Sequence, residues 1–237
     1  MLTQENWNDG QGTVAGIDTI VFDGLERLAP AGVAGPALEA WLSAPIGGEP
    51  LYRRLFDPLI GSGVRDCIAE PGRVADALGR ITRRHPCYSY VLHSDPFLLS
   101  NGARRAAFPA GGLLEMGAAA GTETNRLHET GDASGLIALS RMALEGDLMG
   151  RTVRGVFEGD LLRGPEVSLG QGLRVEGLCA VGARSRLEAD VTLRSGAVIG
   201  EGCLIGEGAE LGNCLVLDGA VVPAHARLDD VIWFPGR

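Results

Sequence analysis

Between positions 169 and 222 an aliphatic residue recurs at every sixth position: Leu169, Val175, Val181, Leu187, Leu193, Ile199, Ile205, Leu211 and Leu217. The next residue is Gly, Asp or Glu in eight of these nine cases, Arg194 being the exception. The residue four places on is mostly small, as at Cys179, Ser185, Ala197, Cys203 and Ala209, with Leu173 and Leu215 larger. Side chains repeat at 3.6 in a helix and at 2 in a strand, so neither element accounts for a period of six. A hexapeptide β-helix does. Each hexad supplies one short strand and one tight corner, three hexads close a triangular coil, and the aliphatic side chain points into the prism. Nine hexads predict three full coils, stacked about 4.8 Å apart by inter-strand hydrogen bonds. Burying each aliphatic side chain contributes roughly 1.5–3 kcal/mol before entropy is counted. A single coil has nothing to pack on, so the stack is stable only collectively.

Upstream the pattern changes. Residues 16–22 read as a buried strand, 36–43 as a helix broken at 45–48, and 50–60 as a helix with Leu51, Leu55, Phe56 and Leu59 at helical spacing. Gly61, Ser62 and Gly63 stop it before a strand at 64–69; a helix at 73–83, a strand at 88–93, loops at 98–105 and 111–124, and a helix at 134–145 follow. Strands alternating with helices predict a small α/β layer with a parallel sheet. The expected organisation is a loose leader at 1–15, an α/β domain of Rossmann type at 16–150, and a left-handed parallel β-helix at 151–237, with hexads at 169–222 and a C-terminal cap. In that cap Val231, Ile232, Trp233 and Phe234 cover the last coil or dock on a neighbour.

Charge and composition narrow the function. With 21 Lys and Arg against 30 Asp and Glu, the net charge of −9 argues against a nucleic-acid surface, which needs clustered cations. The pairs Arg53-Arg54, Arg83-Arg84 and Arg104-Arg105 read as solvated helix faces, or as local holds for a small anion. The first twelve residues lack the basic head and apolar stretch of a secretory signal, and no apolar run approaches membrane-spanning length. The five cysteines are odd in number, widely spaced and without a C-x-x-C pair, which predicts reduced core thiols in a cytoplasmic protein. His85, His93, His128 and His225 show no zinc-ligand spacing with them. No metal site and no cofactor are expected.

Several segments, in order, resemble a known family. Ile20-Val21-Phe22-Asp23-Gly24-Leu25-Glu26-Arg27-Leu28-Ala29-Pro30 stands where a strand and a Gly-rich loop would be. Pro45-Ile46-Gly47-Gly48-Glu49-Pro50-Leu51 follows, then Gly63-Val64-Arg65-Asp66, then Asp95-Pro96-Phe97-Leu98-Leu99-Ser100-Asn101-Gly102-Ala103-Arg104-Arg105-Ala106. These are similar to sugar-1-phosphate nucleotidyltransferases of the mannose-1-phosphate guanylyltransferase kind, and the stretch 211–233 is similar to the end of that family's β-helix. The resemblance implies a reduced nucleotidyltransferase-like α/β domain followed by a left-handed β-helix, with Gly24, Arg27, Asn101, Gly102 and Arg104 as nucleotide-binding candidates.

The departures bear on chemistry. Nucleotidyl transfer in this family uses backbone amides around the triphosphate, a Lys and an Arg to neutralise it, and Asp residues on a divalent metal. Here Asp23, Leu25 and Glu26 replace the Gly and Thr of the loop, Pro36-Ala37 aligns where a Lys belongs, and Ala118 stands at a metal-ligand position. The segment Leu127-His128-Glu129-Thr130-Gly131-Asp132 resembles the family's Trp-x-Asp-x-Gly-Thr, with most of the sugar-binding half before it missing. The resulting expectation is a catalytically impaired member of sugar-nucleotide metabolism, acting as a regulatory or assembly subunit. Its partners are further copies of itself or a catalytic relative met through the β-helix, and a nucleotide or sugar nucleotide is a further candidate ligand. Two alternatives stay open: a hexapeptide acyltransferase using acyl-CoA with His225 as general base, and an active nucleotidyltransferase, for which alone Mg2+ would be needed.

Overall fold

The computed structural model describes residues 19–56, 66–85, 92–93, 105–109, 131–146 and 155–236. In the first part, β1 (Thr19–Asp23) leads into a short 3-10 helix (Leu25–Leu28), α1 (Gly35–Leu42), the antiparallel pair β2 (Pro45–Ile46) and β3 (Glu49–Pro50), and α2 (Leu51–Arg54). Then come β4 (Asp66–Ala69), α3 (Arg73–Arg84), β5 (Leu92–His93), β6 (Arg105–Pro109) and α4 (Ala133–Glu145). Four strands form a parallel sheet in the order β5-β4-β1-β6, with Val21 opposite both Ile68 and Ala107. The chain therefore moves outward on one side of β1 and then returns to its other side.

Each helix has a sequence reason. Pro36 sits in the first turn of α1, where a missing N–H leaves no bond unmade. In α3, Val74, Ala75, Ala77, Leu78 and Ile81 are buried while Asp76, Arg80, Arg83 and Arg84 are exposed, the stripe expected of a helix lying on a core. Glu39 of α1 accepts from Arg80 and Arg84 of α3, and these hydrogen bonds hold its carboxyl below the usual range. Asp132 caps α4 by accepting from the Gly135 N–H at 2.7 Å. Ser140 of α4 ties that helix to the hairpin: its Oγ donates to the Pro45 carbonyl at 3.2 Å and accepts from the Gly47 N–H.

Three expectations for this part need adjustment. The helix expected over 50–60 is α2, ending at Arg54, with described residues running to 56. The stretch after the expected loop at 98–105 is a strand, β6, whose Ala106-Ala107 core lacks the β-branched residues that mark strands in sequence. Arg54 does not lie on a solvated face: it is buried, and its guanidinium donates to the Ile46 carbonyl at 3.0 Å. The leader at 1–15 and the loop at 111–124 lie outside the described residues.

The hexad run forms a parallel β-solenoid of about four turns. After β7 (Val156–Glu158), the chain follows β8 (Leu161–Arg163), β9 (Ser168–Leu169), β10 (Arg174–Glu176), β11 (Cys179–Val181), β12 (Arg186–Leu187), β13 (Thr192–Arg194) and β14 (Val198–Ile199). It continues through β15 (Leu204–Ile205), β16 (Glu210–Gly212), β17 (Leu215–Val216), β18 (Val221–Val222), β19 (Arg227–Asp229) and β20 (Ile232–Trp233). Every third strand shares a face. The first face is β8-β11-β14-β17-β20, the second β9-β12-β15-β18 and the third β10-β13-β16-β19. The coils thus extend beyond the three expected, upstream to Leu161 and downstream to Trp233, where the expected cap supplies a fifth strand of the first face.

The period also slips once per turn in the upper coils. Leu187 pairs with Ile205 and Val181 with Ile199, each eighteen residues on, but Ile199 pairs with Val216 and Leu211 with Leu228, each seventeen on. One corner is a residue shorter there, with Asn213 and Asp230 in the left-handed region at φ 39° and 53°. Asn and Asp tolerate that region through their short polar side chains, and the Asn213 amide donates to the Asp230 carboxylate directly above it. The prism residues after the slip are therefore Val216, Val222 and Leu228, with Cys214, Ala220 and Ala226 beside them. Leu217, expected inside the prism by the period of six, faces outward instead, as do Leu215 and Val221, four places after Leu211 and Leu217.

That outward turn matters, because the first face is apolar on both sides. Leu162, Ala180, Val198, Leu215, Leu217 and Ile232 belong to the same buried cluster as Phe22, Leu38, Leu42, Ile46, Leu136 and Leu139 of the α/β layer, with Phe234 packed at its edge. The solenoid lends one wall to the other part's core. The remaining prism residues form a second, separate cluster.

Candidate functional site

An open α/β sheet offers its crevice at the carboxyl ends of the strands where the order reverses. That point falls between β1, ending at Asp23, and β6, ending at Pro109. The chain leaves β1 through Gly24, whose φ of 70° lies in the left-handed region that glycine adopts without steric cost, and turns at once into the 3-10 helix. Leu25 and Leu28 of this turn are buried, and the Arg27 N–H is bonded to the Gly24 carbonyl at 3.0 Å.

Glu26 has a distinct task. Its Oε1 accepts from the Val74 N–H at 2.8 Å, and its Oε2 pairs with the Arg73 Nε at 3.0 Å, so the carboxylate sits on the N-terminus of α3. Gly72 makes room for it: a Cβ there would come within 2.6 Å of Glu26 Oε1. The guanidinium of Arg73 also donates to the carbonyls of Ala29, at 3.0 Å, and of Val33. A helix N-terminus favours an anion through its unbonded N–H groups and dipole. Here the chain's own carboxylate takes that place, and the nearest cation is spent on the turn's carbonyls.

Of the residues singled out by sequence, Gly24 and Arg27 lie together at this turn, with Arg27 exposed and its Cδ reaching back over Gly24. Ala37, which the resemblance aligns with a Lys, lies exposed in the first turn of α1. Asn101, Gly102, Arg104 and Ala118 lie outside the described residues.

His225 is a corner residue. It adopts a φ of 58° at the place held in the coil below by Gly208, its N–H donates to the Glu207 carbonyl at 2.8 Å, and its imidazole lies over Gly208, whose added Cβ would come within 2.5 Å of Nδ1. The imidazole thus covers a corner of the stack and is exposed to solvent on its other side.

The cysteines on the prism axis are poor nucleophiles. Burial pushes the thiols of Cys179 and Cys203 up to about 11 and that of Cys214 up to about 12. Cys179 and Cys203 donate to the corner carbonyls of Arg194 and Leu217, at 3.1 and 3.2 Å. Among the described residues no disulfide forms, no group of three or more His, Cys, Asp or Glu is placed to hold a metal ion, and no helix is long and apolar enough to cross a membrane.

Two surfaces of the solenoid stay open. On the third face an ion ladder runs between coils, Arg194 to Glu210 at 2.6 Å and Arg227 to the same carboxylate at 3.3 Å. On the second, Leu204 and Val221 are neighbours in register and exposed. A cleft of about 450 Å³ between α1 and the C-terminal tail is lined by Val33, Pro36, Ala37, Ala40, Phe234 and Pro235, none of which can exchange a proton.

Sequence reading missed the first face as a docking wall. The signal was present: the residue before the prism position is Leu162, Ala180, Val198, Leu215 and Ile232 on that face, but Ser, Arg, Thr or Glu at most positions of the other two. No protein-family model matches the chain, and no curated protein is significantly similar to it in sequence.

Proposed function

We propose that this chain is a shortened relative of the sugar-1-phosphate nucleotidyltransferases that has lost nucleotidyl transfer and serves as a regulatory or assembly subunit through its solenoid. The observation that carries this reading is Glu26 seated on the N-terminus of α3, beside the turn after β1 where the family's loop would cradle phosphates. A triphosphate there would meet a carboxylate in place of amides. Losing one preorganised donor costs about 10²–10³ in rate, and here the loop glycines and the Lys are replaced together. A left-handed sense for the coil, a cytoplasmic location and sugar-nucleotide metabolism go with this reading. The parallel order β5-β4-β1-β6, with its reversal at β1, supports the kinship.

The experiment is a pyrophosphate-release assay on the full chain with Mg2+, a panel of nucleoside triphosphates and a panel of sugar-1-phosphates. No release above the protein-free rate is expected. Turnover at about 1 s⁻¹ or faster, the ordinary range for enzymes, would overturn the proposal.

A further inference from the structure

We propose that the N-terminal end of the solenoid is a two-fold interface with a second copy of this chain, in which β10 pairs antiparallel with β10 of the partner subunit about Val175. This names the partner and surface for the assembly half of the proposed function, and rests on that half alone.

The two ends of the prism differ. At the far end Trp233 packs on the prism cluster and its Nε1 donates to the Val221 carbonyl at 2.9 Å, while Phe234 pins the tail to the shared core. The last prism residues there, Val222 and Leu228, are buried, although β18 and β19 end their sheets. At the near end β9 and β10 begin their sheets with no described strand beyond them. Leu169, Leu173 and Val175, which point into the prism, are only partly buried, whereas Leu187, Leu193, Ile205 and Leu211 further up are fully covered. A mouth lined by prism residues and rimmed by unpaired strand edges is a template for another chain.

The charges on this edge select the occupant. Arg174 and Glu176 flank Val175, are exposed, and make no ion pair among the described residues, although Arg194, Glu210 and Arg227 above them on the third face are paired. In an antiparallel pair centred on Val175, Arg174 stands opposite Glu176 of the partner subunit, and Glu176 opposite the partner's Arg174. The strand is complementary to its own reverse, which is the requirement of an isologous two-fold contact. β7 supports the same arrangement. It stands one strand beyond β8 on the first face, so the two prisms meet at an angle with a β7 on each flank. Val156 and Phe157, 67% and 52% exposed in the single chain, then lie against the partner.

The test is sedimentation of the full chain and three variants, Arg174→Glu, Glu176→Arg and the double exchange. The unaltered chain should sediment as a dimer of twice 24.8 kDa. Each single exchange places like charges opposite one another twice, and should raise the dissociation constant on the order of tenfold or more. The double exchange restores both pairs with their signs reversed, and should bring the constant back to within about threefold. Both residue changes are at exposed positions, and matching circular dichroism checks that the folds are the same. A chain that stays monomeric at about 100 μM, far above any useful affinity, overturns the interface, as do single exchanges without effect or a double exchange that fails to recover. A monomer that also releases no pyrophosphate would leave the loss of chemistry standing, whereas turnover by a charge-sensitive dimer would sink the loss of chemistry and support the interface.

Discussion

Replacing Val198 by Asp is expected to destabilise the chain by at least about 4 kcal/mol, the cost of a buried carboxylate without a partner. At this chain length that lowers the melting temperature by roughly 8–16 °C. Val198 is 0% exposed, sits on the outer side of β14, and meets the α/β core around β2 rather than solvent. The same change at Val221, which is 50% exposed on the second face, should stay within about 0.5 kcal/mol. Both substitutions fall on outward positions of the same repeat, so their difference measures the docking wall and not the coil. Chemical denaturation of the two variants beside the unaltered chain gives the numbers. Equal losses at both positions would contradict the docking of the first face.

The second large effect lies one residue along. Ile199 points into the prism, is 1% exposed, and pairs with Val181 below and Val216 above. Ile199→Ala should cost about 2–5 kcal/mol, the transfer of the lost methyl groups plus the cavity left between stacked coils. Because each coil rests on its neighbours, the loss should appear in the main unfolding transition and not as a local opening. A denaturation midpoint unchanged from the parent, at the same slope, would show that the prism closes over the gap and that the coil is looser than its burial implies.

The solenoid was legible because its period is enforced by backbone geometry: each hexad turns one corner and returns one residue to the prism interior, where an aliphatic side chain is buried. Its slip was not, because Leu217 lies six residues after Leu211 and satisfies the period by accident, while the true prism residue, Val216, lies five after it. The cue was Asn213, a residue able to turn a shorter corner at positive φ. In the α/β layer, amphipathic α3 and Pro-initiated α1 could be read from pattern, and β6 could not, since its alanines carry no strand signature. At the turn after β1, sequence put Glu26 among groups hostile to phosphate. What it could not supply was where the carboxylate goes, because the N-terminus of α3 lies nearly fifty residues away in the chain. His225 invited a catalytic reading for the same reason: its corner role depends on Gly208 in the coil beneath.

The solenoid and the α/β layer share one core through the first face, and calorimetry of the unaltered full chain tests this most directly. A single endotherm is expected, with a van't Hoff enthalpy equal to the calorimetric one, since neither part can lose its structure without exposing the row from Leu162 to Ile232. Two resolved endotherms, one for the coils and one for the layer, would contradict it.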